Sequence, residues 1–241
     1  MILPFPVFTR LCPPYIKVRY ADHEYFEPDG EDAVFLVDIG LKLASKNGGA
    51  VSMDYVKYVM HYSRRYVTLF VIPDSWHYKQ HITNALRFIG LARRLRSTDN
   101  MIPILVGHYF YYHANEYLEL LSELRELFPT VLLGIPGNTV TAAPHPFKCV
   151  SKLTVCNQYI VSVANTVGKW GVKAHVLGIA KNTLDFLTRN NVAGVVSADA
   201  DKARASDGKK PHRREYCMAF KQWLGDYEQP NPSEWLLQLI Q

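Results

Sequence analysis

Six short apolar runs recur along this chain, each followed by a stretch with helical spacing, and that alternation constrains the fold more than any other feature. The runs are AVFLVDIG (33–40), YVTLFVIPD (66–74), MIPILVGH (101–108), TVLLGIPG (130–137), KAHVLGIA (173–180) and VAGVVSAD (192–199). They are continuously apolar rather than alternating, as strands buried on both faces are, and such strands belong to parallel sheets covered by helices. The segments between them carry helix signals. In SMDYVKYVMHYSRRY, Tyr55, Val56, Val59 and Met60 share one face, Ser52 is placed to cap, and Asp54 suits the first turn. A segment from about His77 to Arg96 follows the second run, and NEYLELLSELRELF, closed by Pro129, follows the third. CVSKLTVCNQYIVSVANTVGKWG, NTLDFLTRNN and RREYCMAFKQWLGDY follow the last three.

This pattern predicts an α/β fold, a (β/α)8 TIM-like barrel with room for irregular first units, and residues 1–241 as one domain. The aromatic and Pro-rich first 30 residues supply one or two further strands. A doubly wound open sheet is the alternative; no glycine-rich phosphate fingerprint follows any strand, which counts against a dinucleotide fold. A length of 241 residues suits a single α/β barrel, and 48% hydrophobic residues is ample for one core. The excess of 27 Lys and Arg over 22 Asp and Glu permits an anionic partner without demanding one. Cys12, Cys149, Cys156 and Cys217 show no zinc spacing and read as reduced, structural thiols. MILPFPVF has no basic n-region and is interrupted by Pro4 and Pro6, so it does not read as a signal peptide. No apolar stretch approaches the roughly 20 residues that span a bilayer. The expectation is a soluble, cytoplasmic protein with no membrane partner.

In a parallel barrel the C-terminal strand ends surround the active site. Here those ends carry Asp38, Asp74, His108, the turn from Gly134 to Gly137, Gly178 and Asp199. A single acid at such a position is satisfied by capping the next helix. Three on separate strands converge on one mouth, although their number alone does not name a chemistry. After the last acid comes DKARASDGKKPHRREY, which holds Lys202, Arg204, Lys209, Lys210, Arg213 and Arg214. That cluster reads either as a phosphate-binding surface or as a solvated loop and helix face. HYFYYHANEY reads equally as a base-stacking lip or as rim packing. Arg64, Arg65 and the ARRLR run (92–96) lie toward helix C-termini, where cations complement the dipole.

The order of LVDIG, VIPDS, LVGH, LLGIPG, HVLGIA and GVVSAD, across residues 33 to 210, resembles that of the tRNA-guanine transglycosylases and the related DNA 7-deazaguanine transglycosylases. The resemblance implies base exchange by double displacement. Asp199 would attack the sugar anomeric carbon, with Asp201 its competitor for that role, and Asp38 would move the proton of the departing and incoming bases. Asp74 would read the guanine edge and His108 the base carbonyl, while Gly134, Gly137 and Gly178 would let the backbone approach the flat ring. The implied partners are DNA or tRNA, with DNA favoured, and a free 7-deazaguanine base (preQ0-like or preQ1-like). The basic cluster would hold phosphates; no cofactor is required, and a homodimer is compatible.

The chain departs from the family at several points. Leu41 and Lys42 follow Gly40 where the family has a second glycine and an aromatic, so stacking would fall to another ring such as Tyr109 or Phe110. Gly107-His108 stands in place of a Gln-Gly pair, and Val196 where the family often has Asp. The family's C-terminal zinc site is absent, since Cys217 and His212 are only two candidate ligands, and no metal is expected. The family also contains non-catalytic subunits. A silent barrel that binds nucleic acid or an active transglycosylase subunit is therefore the alternative, and an unrelated barrel hydrolase or lyase using the same carboxylates stays open.

Overall fold

The structure, a computed structural model, describes residues 2–5, 14–20, 25, 27–28, 33–39, 51–75, 77–136, 157–200 and 216–240. Eight strands, β1 (Leu3–Phe5), β2 (Tyr15–Arg19), β3 (Val34–Asp38), β4 (Val67–Val71), β5 (Met101–Val106), β6 (Leu132–Pro136), β7 (Lys173–Ile179) and β8 (Val195–Ala200), form one sheet. Its order is β1-β8-β7-β6-β5-β4-β3-β2, and every pairing is parallel. The two edge strands, β1 and β2, come alongside each other, so the sheet curls into a nearly closed (β/α)8 TIM-like barrel. The alternation of apolar runs and helical segments predicted this architecture, and the open-sheet alternative is set aside. The first 30 residues contribute two strands, one hydrogen-bonded to β8 and the other to β3.

The helices among the described residues are α1 (Met53–Ser63), α2 (Tyr78–Ala92), α3 (Ala114–Arg125), α4 (Asn157–Gly168), α5 (Lys181–Arg189), α6 (Tyr216–Leu224) and α7 (Pro232–Ile240). α1 starts where the sequence places its cap: Ser52 Oγ accepts the Tyr55 N–H at 3.1 Å. None of the described helices is long and apolar enough to cross a membrane.

Strand alternation divides the apolar residues between two cores. Phe35, Val37, Phe70, Leu105, Leu133 and Val176 face outward and pack under the helices. Leu3, Phe5, Val34, Leu36, Leu69, Val71, Ile102, Ile104, Val106 and Leu132 belong to a second cluster, which fills the barrel interior. α7, which the sequence pattern did not suggest, completes that interior from below by adding Trp235 and Leu239. Trp235 Nε1 donates to the Val196 carbonyl at 2.8 Å, Tyr15 Oη to the Pro230 carbonyl and Lys173 Nζ to the Gln238 carbonyl. Tyr15 and Lys173 open β2 and β7, so these bonds put α7 under the N-terminal ends of the strands. Toward the other end, the inward positions turn polar: Lys17, Asp38, His175, Ser197 and Asp199.

Trp235→Ala removes a fully buried ring and its hydrogen bond from this floor, and should cost about 3–5 kcal/mol. Trp235→Phe, which keeps most of the apolar volume, should cost clearly less. Denaturant unfolding of the three proteins checks the order; equal stability of Trp235→Ala and wild type would deny α7 its role as the plug.

Candidate functional site

The polar end of the interior is organised by a residue absent from the list of strand-end candidates. Lys17, in the middle of β2, places its Nζ 3.0 Å from Asp38 Oδ2 and in an ion pair with Asp199 Oδ2. Asp38 ends β3 and Asp199 lies one residue before the end of β8, so three strands contribute to one cluster. With both carboxylate oxygens within 3.0 Å of a single nitrogen, they lie no more than about 6 Å apart. The Lys17 and Asp199 side chains are only 5% and 6% exposed, whereas Asp38 is 20% exposed and is the member open to proton exchange with solvent.

The remaining oxygen of Asp199 is held as well. Gly178 N–H donates to Asp199 Oδ1 at 2.5 Å. Gly178 has φ +64°, in the left-handed region that favours glycine, within the stretch where the β7–β8 register shifts. Below it, His175 Nδ1 lies 2.8 Å from Ser197 Oγ, which orients the ring so that Nε2 faces Asp199 Oδ1 at 3.8 Å. Ser, His and Asp are the residue types of a hydrolytic triad, but Ser197 and His175 are wholly buried inside the barrel and serve here to support Asp199.

Electrostatics keep the cluster charged. Burial works against ionising Asp199, but the Lys17 ammonium outweighs it, with His175 adding to the effect, and the carboxyl is held well below the ordinary range. For Lys17, burial likewise works against the charge, and Asp199 first and then Asp38 overcome it, so its pKa is raised. Lys17 is therefore a fixed ammonium and not a free amine nucleophile.

A second cluster lies beyond the ends of β4 and β5. His108 Nε2 and Asp74 Oδ2 are 2.6 Å apart, and both residues are buried. His81, on α2, approaches His108 edge-on with ring centroids 6.0 Å apart. Burial, with His108 adding to it, pushes the His81 pKa down to about 3, so this ring is neutral at physiological pH. At the rim, Tyr78 stacks on His113 with centroids 3.8 Å apart and meets Tyr109 edge-on.

The structure thus joins Asp38 to Asp199 and Asp74 to His108. Asp74 and His108 had been expected to contact a base separately; they form one hydrogen-bonded unit. Two of the glycines have structural roles. Gly178 gives its N–H to Asp199. A Cβ on Gly134 would fall 2.8 Å from Ile104 Cγ2 and 3.1 Å from Leu177 Cδ1, so its missing side chain makes room for interior packing. Of the proposed stacking rings, Phe110 is packed into the core against Tyr117 and Trp170, which corrects its role, and Tyr109 is half-buried beside Tyr78. Cys217 is disulfide-bonded, contrary to the expectation of a reduced thiol. Gly137, Asp201, Lys202, Arg204, Lys209, Lys210, Arg213 and Arg214 lie outside the described residues. Among the described residues, no group of three or more His, Cys, Asp and Glu is arranged to hold a metal ion.

Lys17 and His175 were missed for different reasons: His175 sits inside the apolar run KAHVLGIA and reads as core. In YIKVR, Lys17 and Arg19 alternate with Ile16 and Val18, which reads as a solvent face opposite a core face. Only closure of the barrel turns that polar face inward.

Comparison with protein-family models, curated proteins and solved structures finds no match to this chain.

The charged cluster makes a signed prediction for stability. Asp199 titrates lower in the folded protein than its unfolded value of about 3.9, so as pH falls the unfolded chain takes up this proton first. Its contribution is complete above about pH 4 and is lost as pH falls through the folded value. Lys17 is the mirror case, contributing fully below about pH 10.4 and losing that contribution as pH rises through its raised folded value. Asp199→Asn should lose about 3 kcal/mol at pH 7, and its deficit against wild type should narrow below pH 3. Urea unfolding across pH 2–8 tests this; a deficit constant with pH would show that Asp199 carries no ionisation-linked stability.

Proposed function

We propose that this barrel exchanges guanine for a 7-deazaguanine in a nucleic acid, by double displacement at the sugar anomeric carbon. The observation that carries this reading is the pair of carboxylates, Asp38 and Asp199, held within about 6 Å of each other at the C-terminal end of a parallel barrel. Carboxylates about 5–5.5 Å apart suit a covalent double displacement at a sugar carbon, whereas a single inverting attack by water uses about 6.5–9.5 Å. The order of the strand-end motifs supports the same reaction.

The roles follow from the environments. Asp199 is buried, ionised and fixed through both oxygens, as a nucleophile that must return to one position in every turnover requires. Its oxygen attacks C1′ while the bond from C1′ to guanine N9 breaks, leaving an aspartyl-sugar ester. Asp38, about one-fifth exposed, takes up a proton from solvent, gives it to N9 of the departing guanine and afterwards accepts the N9 proton of the incoming 7-deazaguanine. That base then attacks C1′ and releases Asp199. Bonds and protons balance with no redox step. The Asp74–His108 unit, just beyond the ends of β4 and β5, would meet the base edge, and the cations that follow Asp199 in sequence would hold phosphates. A target inside a duplex must be flipped out, at a cost of a few kcal/mol. DNA is the favoured polymer.

The test is incubation with guanine-containing DNA, and separately with unmodified tRNA, together with 7-deazaguanine bases, followed by mass analysis of the nucleosides. We expect a deazaguanine nucleoside in DNA, abolished by Asp199→Ala and formed at least 100-fold more slowly by Asp38→Asn. Salt-dependent binding of both polymers with no exchange in either would overturn the reaction and leave a silent, nucleic-acid-binding barrel.

A further inference from the structure

We propose that Lys17 is the positioning residue of the exchange, handing its charge compensation from Asp199 to Asp38 as the sugar ester forms. The inference rests on the base-exchange reading and goes beyond it, since neither the motif order nor the strand-end positions point to β2. It stands on three facts of geometry: one ammonium contacts both carboxylates, the cluster is buried, and only Asp38 opens to solvent.

For the exchange to start, Asp38 must first take up a proton from solvent, leaving Asp199 a carboxylate and Lys17 an ammonium, and the three groups then sum to zero charge. Attack on C1′ converts Asp199 into a neutral ester, and transfer of the proton to guanine N9 converts Asp38 into a carboxylate. The sum is again zero. The negative charge has moved from one side of Nζ to the other without Nζ moving, because both oxygens already lie in contact with it. In so buried a site a charge without a partner costs several kcal/mol, so a fixed cation between donor and recipient removes a penalty that would otherwise fall on the transition state. The second displacement runs the same transfer backwards.

Among the described titratable groups, His175 and Tyr55 do not offer this bridge. His175, on β7, faces Asp199 alone at 3.8 Å. Tyr55, on α1, donates its hydroxyl to the Val71 carbonyl at 2.6 Å. Arg19 lies opposite Asp38 in the β2–β3 register, one strand turn beyond Lys17. Gly178 N–H contributes a dipole to Asp199 but no titratable charge.

Two measurements separate this proposal from the reaction it serves. The first follows side-chain carboxyl titration by carbon-13 NMR in protein labelled at aspartate, with no substrate. Asp199→Asn imitates the charge of the ester and leaves Lys17 to Asp38; the Asp38 midpoint should fall by at least one pH unit, a tenfold change in proton affinity. Lys17→Met, which removes the shared ammonium, should raise the Asp38 midpoint by at least one pH unit, which gives the readout even where Asp199→Asn fails to fold. An Asp38 midpoint unmoved in either variant overturns the handover.

The second compares exchange kinetics of wild type, Lys17→Met and Lys17→Arg. Lys17→Met should lower kcat at least 100-fold, with KM for the polynucleotide within about threefold of wild type, and Lys17→Arg should recover part of the loss. Wild-type exchange with an unchanged kcat in Lys17→Met overturns the role of Lys17 while the base-exchange reading survives. Should wild type exchange no base, that reading fails by itself, and the titrations still decide whether one ammonium couples the two carboxylates.

Discussion

The barrel closes through side chains, and one closing contact is the ion pair between Lys17 and Asp199. β1 and β2 are the two edges of the hydrogen-bonded sheet, and among the described residues no ladder joins them. Lys17 on β2 reaches past β1 to Asp199 on β8, bridging a sequence separation of 182 residues. Phe5 and Tyr15 meet edge-to-face across the same seam with centroids 6.1 Å apart. Beneath them, Tyr15 bonds to the Pro230 carbonyl, and Tyr227 exchanges hydrogen bonds with the backbone of Ile2. The seam is thus fastened by charge at the top, aromatic contact in the middle and the C-terminal segment at the bottom. The candidate site and the closing device share the same residues.

Stability alone would not choose a charged fastener. Removing an ammonium and two carboxylates from water costs several kcal/mol per ion, and apolar replacements of similar volume are often neutral or stabilising by about 1–4 kcal/mol. The rest of the barrel interior follows the cheaper course, with Leu, Ile, Val and Phe up to the level of the cluster and Trp235 below. A charged layer confined to the C-terminal end, with one member open to solvent, departs from that rule where chemistry on this fold is found. The low-dielectric surroundings that make the cluster costly also make each of its charges act strongly on whatever enters.

Much of this fold was legible because its central strands are buried on both faces and therefore announce themselves as continuous apolar runs. Asp38, Asp74, His108 and Asp199 were legible for a related reason: each follows directly on such a run. The parts that were not legible depend on long-range geometry. β1 is three residues long and β2 alternates, so neither carries the signature of a doubly buried strand. Lys17 looks solvent-facing until the seam is closed around it. Gly134 reads as a loop glycine, although its lack of a Cβ is filled by Ile104 and Leu177 from neighbouring strands. α7 is a short apolar segment whose partner is the barrel floor, a surface that exists only once all eight strands are assembled.

Placing closure and chemistry on one ion pair has a consequence for the proposed reaction. Once Asp199 is esterified it can no longer balance the ammonium, and Lys17 is left paired with Asp38 on β3, which lies on its own side of the seam. The proposed covalent intermediate would therefore lose the charged fastener between β2 and β8 while keeping the contacts beneath. Phe5 with Tyr15, Tyr227 with Ile2 and Trp235 with Val196 involve no group that changes charge during exchange. They hold the strands in register while the top of the seam is relaxed. On this reading the aromatic seam and the C-terminal plug are what allow a buried carboxylate to serve as a nucleophile without the barrel opening each time it reacts.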